Sequence, residues 1–195
     1  SAIPLFMRIV GGSARGRKLY IPEASQVRPT AERIKEALFN ILGPVDGKSF
    51  LDLFAGTGNV GLEALSRGAA RAVFVENDRI LAGAIGRNAA SCRFAREAEI
   101  LRADFGKALG MMAERPDSFD IVFADPPYEA GFVGQVVAVL ADGCLMAADG
   151  ILVIQHSVRE AAASERPGLV MTDQRGYGDT RLSFFQKKYA RTNAS

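Results

Sequence analysis

SFLDLFAGTGNVGLEALSRG, Ser49 to Gly68, decides the fold. After Ser49, Phe50 to Phe54 form an apolar run interrupted only by Asp52, and Ser49 to Phe54 reads as a strand buried on both faces. Gly56-Thr57-Gly58 supplies the sharp turn that such a strand needs to reverse into a helix. The helix then runs from about Asn59 to Arg67 and stops at Gly68.

Downstream the same alternation repeats. Ala70 to Glu76 reads as the second strand and Arg79 to about Cys92 as its helix. A third strand near Glu99 to Arg102 precedes a helix near Gly106 to Arg115. Phe119 to Ala124 is the fourth strand, Phe132 to Leu140 the next helix, and Gly150 introduces a fifth strand, Ile151 to Gln155. Near-continuous apolar strands alternating with helices predict an α/β fold with a Rossmann-like, mostly parallel sheet. The tail breaks the pattern: Gly168 to Thr172 and Thr180 to Lys187 read as an antiparallel pair joined through Arg175-Gly-Tyr-Gly-Asp179 at a sheet edge.

Upstream, Met7 to Pro22 places two short apolar stretches around a Gly/Arg-rich connection and reads as a hairpin. Pro22 and Pro29 bracket a loop containing Arg28. Thr30 then caps a helix with Ile34, Leu38 and Ile41/Leu42 at helical spacing. The expected organisation is a basic hairpin extension over 1–28, a catalytic domain over 29–189 and a flexible tail over 190–195.

A chain of 195 residues, 48% hydrophobic and 24% charged, is long enough for one compact core. Cys92 and Cys144 with the single His156 form no zinc cluster or disulfide framework, so no metal is expected. Apolar runs are much shorter than about 18 residues and no signal-peptide pattern opens the chain, which points to a cytoplasmic protein. A single enclosed sheet needs no partner face, so a monomer is expected. Charge is uneven: seven Lys/Arg against Glu23 and Glu32 through residue 35 give +5, leaving the remainder at −3. That skew suits a polyanion contact, and on charge alone it suits a solvated face equally well.

Open sheets bind ligands beyond the carboxyl ends of their strands. There Phe54, Gly56 and Gly58 line a crevice, and Glu76 stands about 20 residues past the turn, where a carboxylate accepts from two ribose hydroxyls. Neither the dinucleotide pattern GxGxxG nor a GxxxxGK[ST] loop is present. Asp52 inside the crevice disfavours a pyrophosphate but suits a cationic amino group, such as the amino-acid end of S-adenosylmethionine. Asp104 follows the third strand, where it either accepts from an adenine amino group or caps the next helix, with Phe105 against the ring. Asn77 and Asp78 read as helix caps, Asn77 being carried with the cofactor-binding set.

Asp125-Pro-Pro-Tyr128 follows the buried strand FDIVFA. Two prolines fix the backbone and leave carbonyl acceptors without competing donors. An exocyclic amine has two hydrogens to give, one to Asp125 and one to the Pro126 carbonyl; Pro127 stiffens the turn and Tyr128 offers a stacking face for an extruded base. The strand order typical of open sheets sets the first and fourth strand ends side by side. Direct methyl transfer to nitrogen, dominated by placement and electrostatics, is the reaction expected.

DLFAGTG followed by DPPY resembles class I methyltransferases of the N6-adenine/N2-guanine type. The opening GGSARGRKL, RPTAERIKEALFNIL (Arg28 to Leu42), LDLFAGTGNVGLEALSRGA (Leu51 to Ala69), FDIVFADPPY and RGYGDTRLSFF (Arg175 to Phe185) together resemble the RsmD family of bacterial 16S ribosomal RNA guanine-N2-methyltransferases. The resemblance implies S-adenosylmethionine held around Asp52, Gly56, Gly58, Glu76 and Asp104, a guanine presented at Asp125 to Tyr128, and no metal. It also implies a seven-stranded sheet with an antiparallel terminal strand and a small N-terminal hairpin. The implied partner is 16S ribosomal RNA in the small subunit or an assembly intermediate. Gln155-His156 occupies a place where family members often carry glutamate.

Arg8, Arg15, Arg17, Lys18, Arg28 and Arg33 are the expected RNA-backbone contacts, with Arg175 and Arg181 extending the surface. Tyr177 serves that surface or packs beside the terminal hairpin. His156 reads as a structural histidine rather than a base. The competing readings are DNA adenine-N6 methylation, against which the absence of a separate recognition domain argues, and a noncatalytic RNA-binding protein, against which the intact DPPY argues.

Overall fold

The computed structural model describes residues 7–23, 32–128, 130–162 and 165–188. Its chain divides into two compact units at Arg115/Pro116. Arg28, Pro29 and Thr30, named above as an RNA contact, a loop boundary and a helix cap, lie outside the described residues.

The first unit opens with β1 (Met7–Arg8) and β2 (Lys18–Leu19), an antiparallel pair in which Met7 faces Leu19. Helix α1 (Glu32–Leu42) follows, turning Lys35, Leu38 and Phe39 inward at the spacing of one helical face. Three parallel strands come next: β3 (Ser49–Leu53), β4 (Arg71–Glu76) and β5 (Ala98–Arg102), ordered β5-β4-β3. They are linked by α2 (Asn59–Ser66) and α3 (Arg79–Ser91), and α4 (Phe105–Ala113) follows β5. Phe50, Leu51, Leu53, Val73, Phe74 and Val75 are buried, as strands covered on both faces require.

In the second unit β6 (Phe119–Ala124) and β7 (Met146–Ser157) are parallel and joined through α5 (Phe132–Asp142). Then come β8 (Glu165–Arg166), β9 (Leu169–Tyr177) and β10 (Thr180–Lys187), ordered β6-β7-β10-β9-β8 with every pairing beyond β7 antiparallel. Three long strands in the first unit and four in the second make the seven expected. The two-residue β8 is an addition.

Two boundaries differ from the sequence expectation. Strand β7 starts at Met146, and Gly150 lies inside it rather than before it. A Cβ there would stand 2.9 Å from the Ala147 carbonyl oxygen and 3.0 Å from that of Phe119, so this glycine permits a close backbone approach where the β6–β7 register shifts. Strand β9 likewise continues through Arg175, Gly176 and Tyr177, leaving only Gly178 (φ 60°) and Asp179 to turn the hairpin. Otherwise the termini agree within one or two residues.

Candidate functional site

The turn after β3 is built from backbone that side chains rarely tolerate. Phe54, Gly56 and Gly58 have φ of 60°, 59° and 82°. Two of the three are glycine, which adopts this region freely; Phe54 does not, and its left-handed geometry is local strain held by the surroundings. Its ring stacks on Phe105 at 5.3 Å between centroids.

Gly58 is the N-cap of α2 and has no side chain with which to cap. Asp52 does this from the strand: its Oδ2 accepts the Gly61 amide at 2.9 Å, and the residue is 1% exposed. One carboxylate oxygen is thus committed to the positive end of the helix. The sequence reading gave Asp52 only an ammonium partner.

At the end of β4, Glu76 Oε2 accepts the Gly56 amide at 2.8 Å and Oε1 accepts the Asp78 amide at 2.9 Å. Burial pushes its carboxyl above the usual carboxylate range, opposed by backbone N–H donors from Asp78, Gly56 and Asn77. Asp78 caps α3, its Oδ1 accepting from Ile80 at 2.7 Å and Leu81 at 2.9 Å, whereas Asn77 is exposed. Asp104 is exposed and caps α4 through Lys107 N at 2.8 Å, and Phe105 is buried.

In the second unit Asp125 and Tyr128 are half-buried, Pro126 buried and Pro127 exposed. Tyr128 shares a 3.1 Å hydrogen bond with the Thr180 hydroxyl. Gln155, buried on β7, donates from Nε2 to Asp125 Oδ2 at 3.5 Å, the long limit of such a bond. His156 has no exposed surface. The Ser157 carbonyl can only accept, so Nδ1 carries the hydrogen at 2.9 Å and Nε2 accepts from Ser183 Oγ at 2.7 Å; Ser183 in turn accepts from Gln174 Nε2 at 2.8 Å. Burial lowers the His156 pKa, which suits a neutral structural imidazole.

The basic residues named in the sequence differ in exposure and in their ion pairs. Arg15, Arg17, Lys18 and Arg33 are exposed. Arg8 is exposed but forms a two-pronged ion pair with Glu32 at 2.9 and 3.0 Å, and Arg175 pairs with Asp173 at 2.9 Å. Arg181 is half-buried opposite His156 and Gly176.

What sequence reasoning missed is the attachment of the hairpin. Glu63, fully buried on α2, accepts the amides of Val10 and Gly11 at 2.8 Å each, and also binds Arg67 at 2.8 Å and Lys35 at 3.1 Å. Lys35 Nζ donates further to the Arg8 carbonyl and to Asn59 Oδ1, both at 2.6 Å. Burial lowers the Lys35 pKa, with Glu63 opposing. Asn88 on α3 holds Tyr20 at both backbone groups, 2.7 and 3.0 Å, and donates to the Thr57 carbonyl at 3.0 Å. The available signal was a charged residue on the apolar face of each of two helices, Lys35 beside Leu38/Phe39 and Glu63 within VGLEAL.

No group of three or more His, Cys, Asp or Glu side chains suited to a metal occurs among the described residues. No helix among them is long and apolar enough to cross a membrane.

Fold and loops together define a Rossmann-like methyltransferase fold. The solved structure "Putative methyltransferase yhhF from Escherichia coli" superposes with a TM-score of 0.80 at 32% identity, covering 94% of this chain and 98% of that one. Residues 7–186 match the family described as "Conserved hypothetical protein 95", and the chain belongs to that family, the RsmD family. It is similar to "Ribosomal RNA small subunit methyltransferase D" of Escherichia coli (strain K12), 33% identical over 93% of this chain and 90% of that protein. It is also similar to "Putative rRNA methyltransferase YlbH" of Bacillus subtilis (strain 168), 35% identical over 93% of this chain and the whole of that protein.

Proposed function

We propose that this chain transfers a methyl group from S-adenosylmethionine to the exocyclic N2 amine of a guanine in 16S ribosomal RNA, in the small subunit or its assembly intermediate. The observation that carries the reading is the Asp125–Tyr128 loop at the carboxyl end of β6, in a chain whose full-length relative is named for small-subunit ribosomal RNA.

The donor set of the first unit fits the cofactor. Glu76 accepts from backbone amides at both carboxylate oxygens and, as a carboxylate with about four lone-pair sites, still has acceptor capacity for a ribose hydroxyl, and the Phe54/Phe105 pair offers apolar ring surface. Asp52 supplies buried negative charge, and Gly56 and Gly58 keep the turn bare of side chains. When bound, S-adenosylmethionine supplies an electrophilic methyl group on a sulfonium.

The chain's part in the reaction is to bind and orient. Asp125 accepts one amine hydrogen and the Pro126 carbonyl the other, which holds the nitrogen's lone pair off the ring plane. A methylated amine is acidic, and Asp125 or solvent would take up the proton it loses. Tyr128 stacks on the base, its hydroxyl anchored by Thr180. The hairpin with Arg15, Arg17 and Lys18, and Arg33 on α1, supplies phosphate contacts whose affinity falls as salt rises. On this reading residues 1–28 act as an RNA-binding extension of the catalytic domain.

The test incubates purified protein and labelled S-adenosylmethionine with small-subunit assembly particles from cells lacking this gene, then digests the RNA to nucleosides. N2-methylguanosine at one site is expected. N6-methyladenosine, or no transfer where a positive control transfers, sinks the proposal.

A further inference from the structure

We infer that Gln155 is a positioning residue for the reaction: its neutral amide holds the Asp125 carboxylate in its ionised, amine-accepting orientation. The inference rests on the proposed role of Asp125, and it starts from the register of the second unit. Parallel pairing sets Ala124 opposite Ile154, so Asp125 and Gln155 follow together one step on, with side chains on the same face. Gln155 Nε2 then meets Asp125 Oδ2 at 3.5 Å.

The other end of the amide carries the argument. Gln155 is 6% exposed, and its Oε1 is buried without a hydrogen-bond partner among the described residues. Buried amide oxygens are nearly always paired, so one that is not calls for a reason. A carboxylate is only an acceptor, so the amide must turn its N–H to Asp125; the flipped amide would set oxygen against oxygen. The carbonyl is left unpaired by that choice. An apolar side chain would avoid the loss, so a glutamine serving packing alone has no advantage here.

Other titratable groups nearby do not take this role. His156 alternates to the opposite face of β7 and is engaged by Ser157 and Ser183, Arg181 lies in register with His156, and the Tyr128 hydroxyl is held by Thr180.

Two variants test the inference. Gln155→Leu removes the donor together with the unpaired acceptor. Its melting temperature is expected to stay level or rise, while kcat falls about tenfold, as for loss of one hydrogen bond to a charged group, and the KM for RNA stays put. Gln155→Glu sets a second carboxylate against Asp125, so the acid limb of the kcat–pH profile moves to higher pH. A readout free of turnover is the carboxyl carbon resonance of labelled aspartate, assigned with Asp125→Asn. The Asp125 titration should move up in both variants. Unchanged kcat in Gln155→Leu, or an unmoved Asp125 titration in either variant, overturns the inference. Wild-type protein that transfers nothing while its Asp125 titration still responds sinks the methyltransferase reading instead.

Discussion

Glu76 at the end of β4 closes the turn that follows β3: its Oε2 accepts the Gly56 amide at 2.8 Å, so the carboxylate proposed to accept from ribose hydroxyls also shapes the glycine loop. Burial is the first cause of its raised pKa. Hydroxyl donors need the ionised form, so S-adenosylmethionine affinity should weaken as pH falls through that raised value. Calorimetry from about pH 7 downward should read this as affinity that slopes down with falling pH in the wild type. Glu76→Gln should bind more weakly and lose the slope; the same slope in the variant assigns the titration elsewhere.

Gly61→Ala tests the link between helix packing and Asp52. A Cβ at Gly61 would stand 2.8 Å from Phe74 Cζ, closer still to Cε1, and 3.1 Å from Asp52 Oδ2. The expected cost is about 2 kcal/mol in urea unfolding, the range for overpacking, accompanied by weakened cofactor binding as Asp52 is displaced. Loss of stability with unaltered binding would separate Asp52 from the cofactor.

Glu63→Leu is expected to remove about 3–5 kcal/mol, because it leaves the buried Lys35 ammonium and two hairpin amides without their acceptor. Protease cleavage within the hairpin connection should accelerate as well. Adding Lys35→Leu to Glu63→Leu should recover part of the loss, since no charge is then stranded; failure to recover any would place the cost elsewhere.

His156 predicts a pH dependence of stability. Its folded pKa lies below the unfolded value, so the unfolded chain takes up the proton first as pH falls. The stability tied to the neutral ring is therefore present above the unfolded value and is lost below it, at up to about 1.4 kcal/mol per pH unit. Urea unfolding between pH 7 and 5 should show this slope in the wild type and a shallower one in His156→Gln. Equal slopes would show that another group is responsible.

Asp125→Ala should abolish most methyl transfer while RNA binding and its salt dependence persist, because the change removes the proposed amine acceptor and no basic contact. Filter binding beside a transfer assay reads both. Equal losses in the two would place Asp125 in RNA recognition or in folding.

Strands β3, β4 and β6 and the helices after them were legible because buried strands leave apolar runs and glycines mark their turns. The true start of β7 was hidden because its first turn of sequence, MAADG, alternates weakly and Gly150 reads as punctuation when it is a point of close backbone contact. At the candidate site, residue type and order were readable while partners were not. Asp52 capping α2 across nine residues, Gln155 reaching Asp125 across thirty, and Asn88 gripping Tyr20 across sixty-eight depend on register and helix docking, which no local pattern encodes.

The grip of Asn88 has a consequence for transplanting the N-terminal segment. One carboxamide on α3 satisfies both peptide groups of Tyr20 and the carbonyl of Thr57, while Glu63 and Ser66 on α2 hold the bend between the two short strands. Lys35 and Glu32 on α1 bind Arg8 as well, so the smallest portable piece is the ribbon together with α1, α2 and α3. A chimera that moved residues 7–20 alone would carry the arginines to a new host and leave behind what gives them a fixed shape.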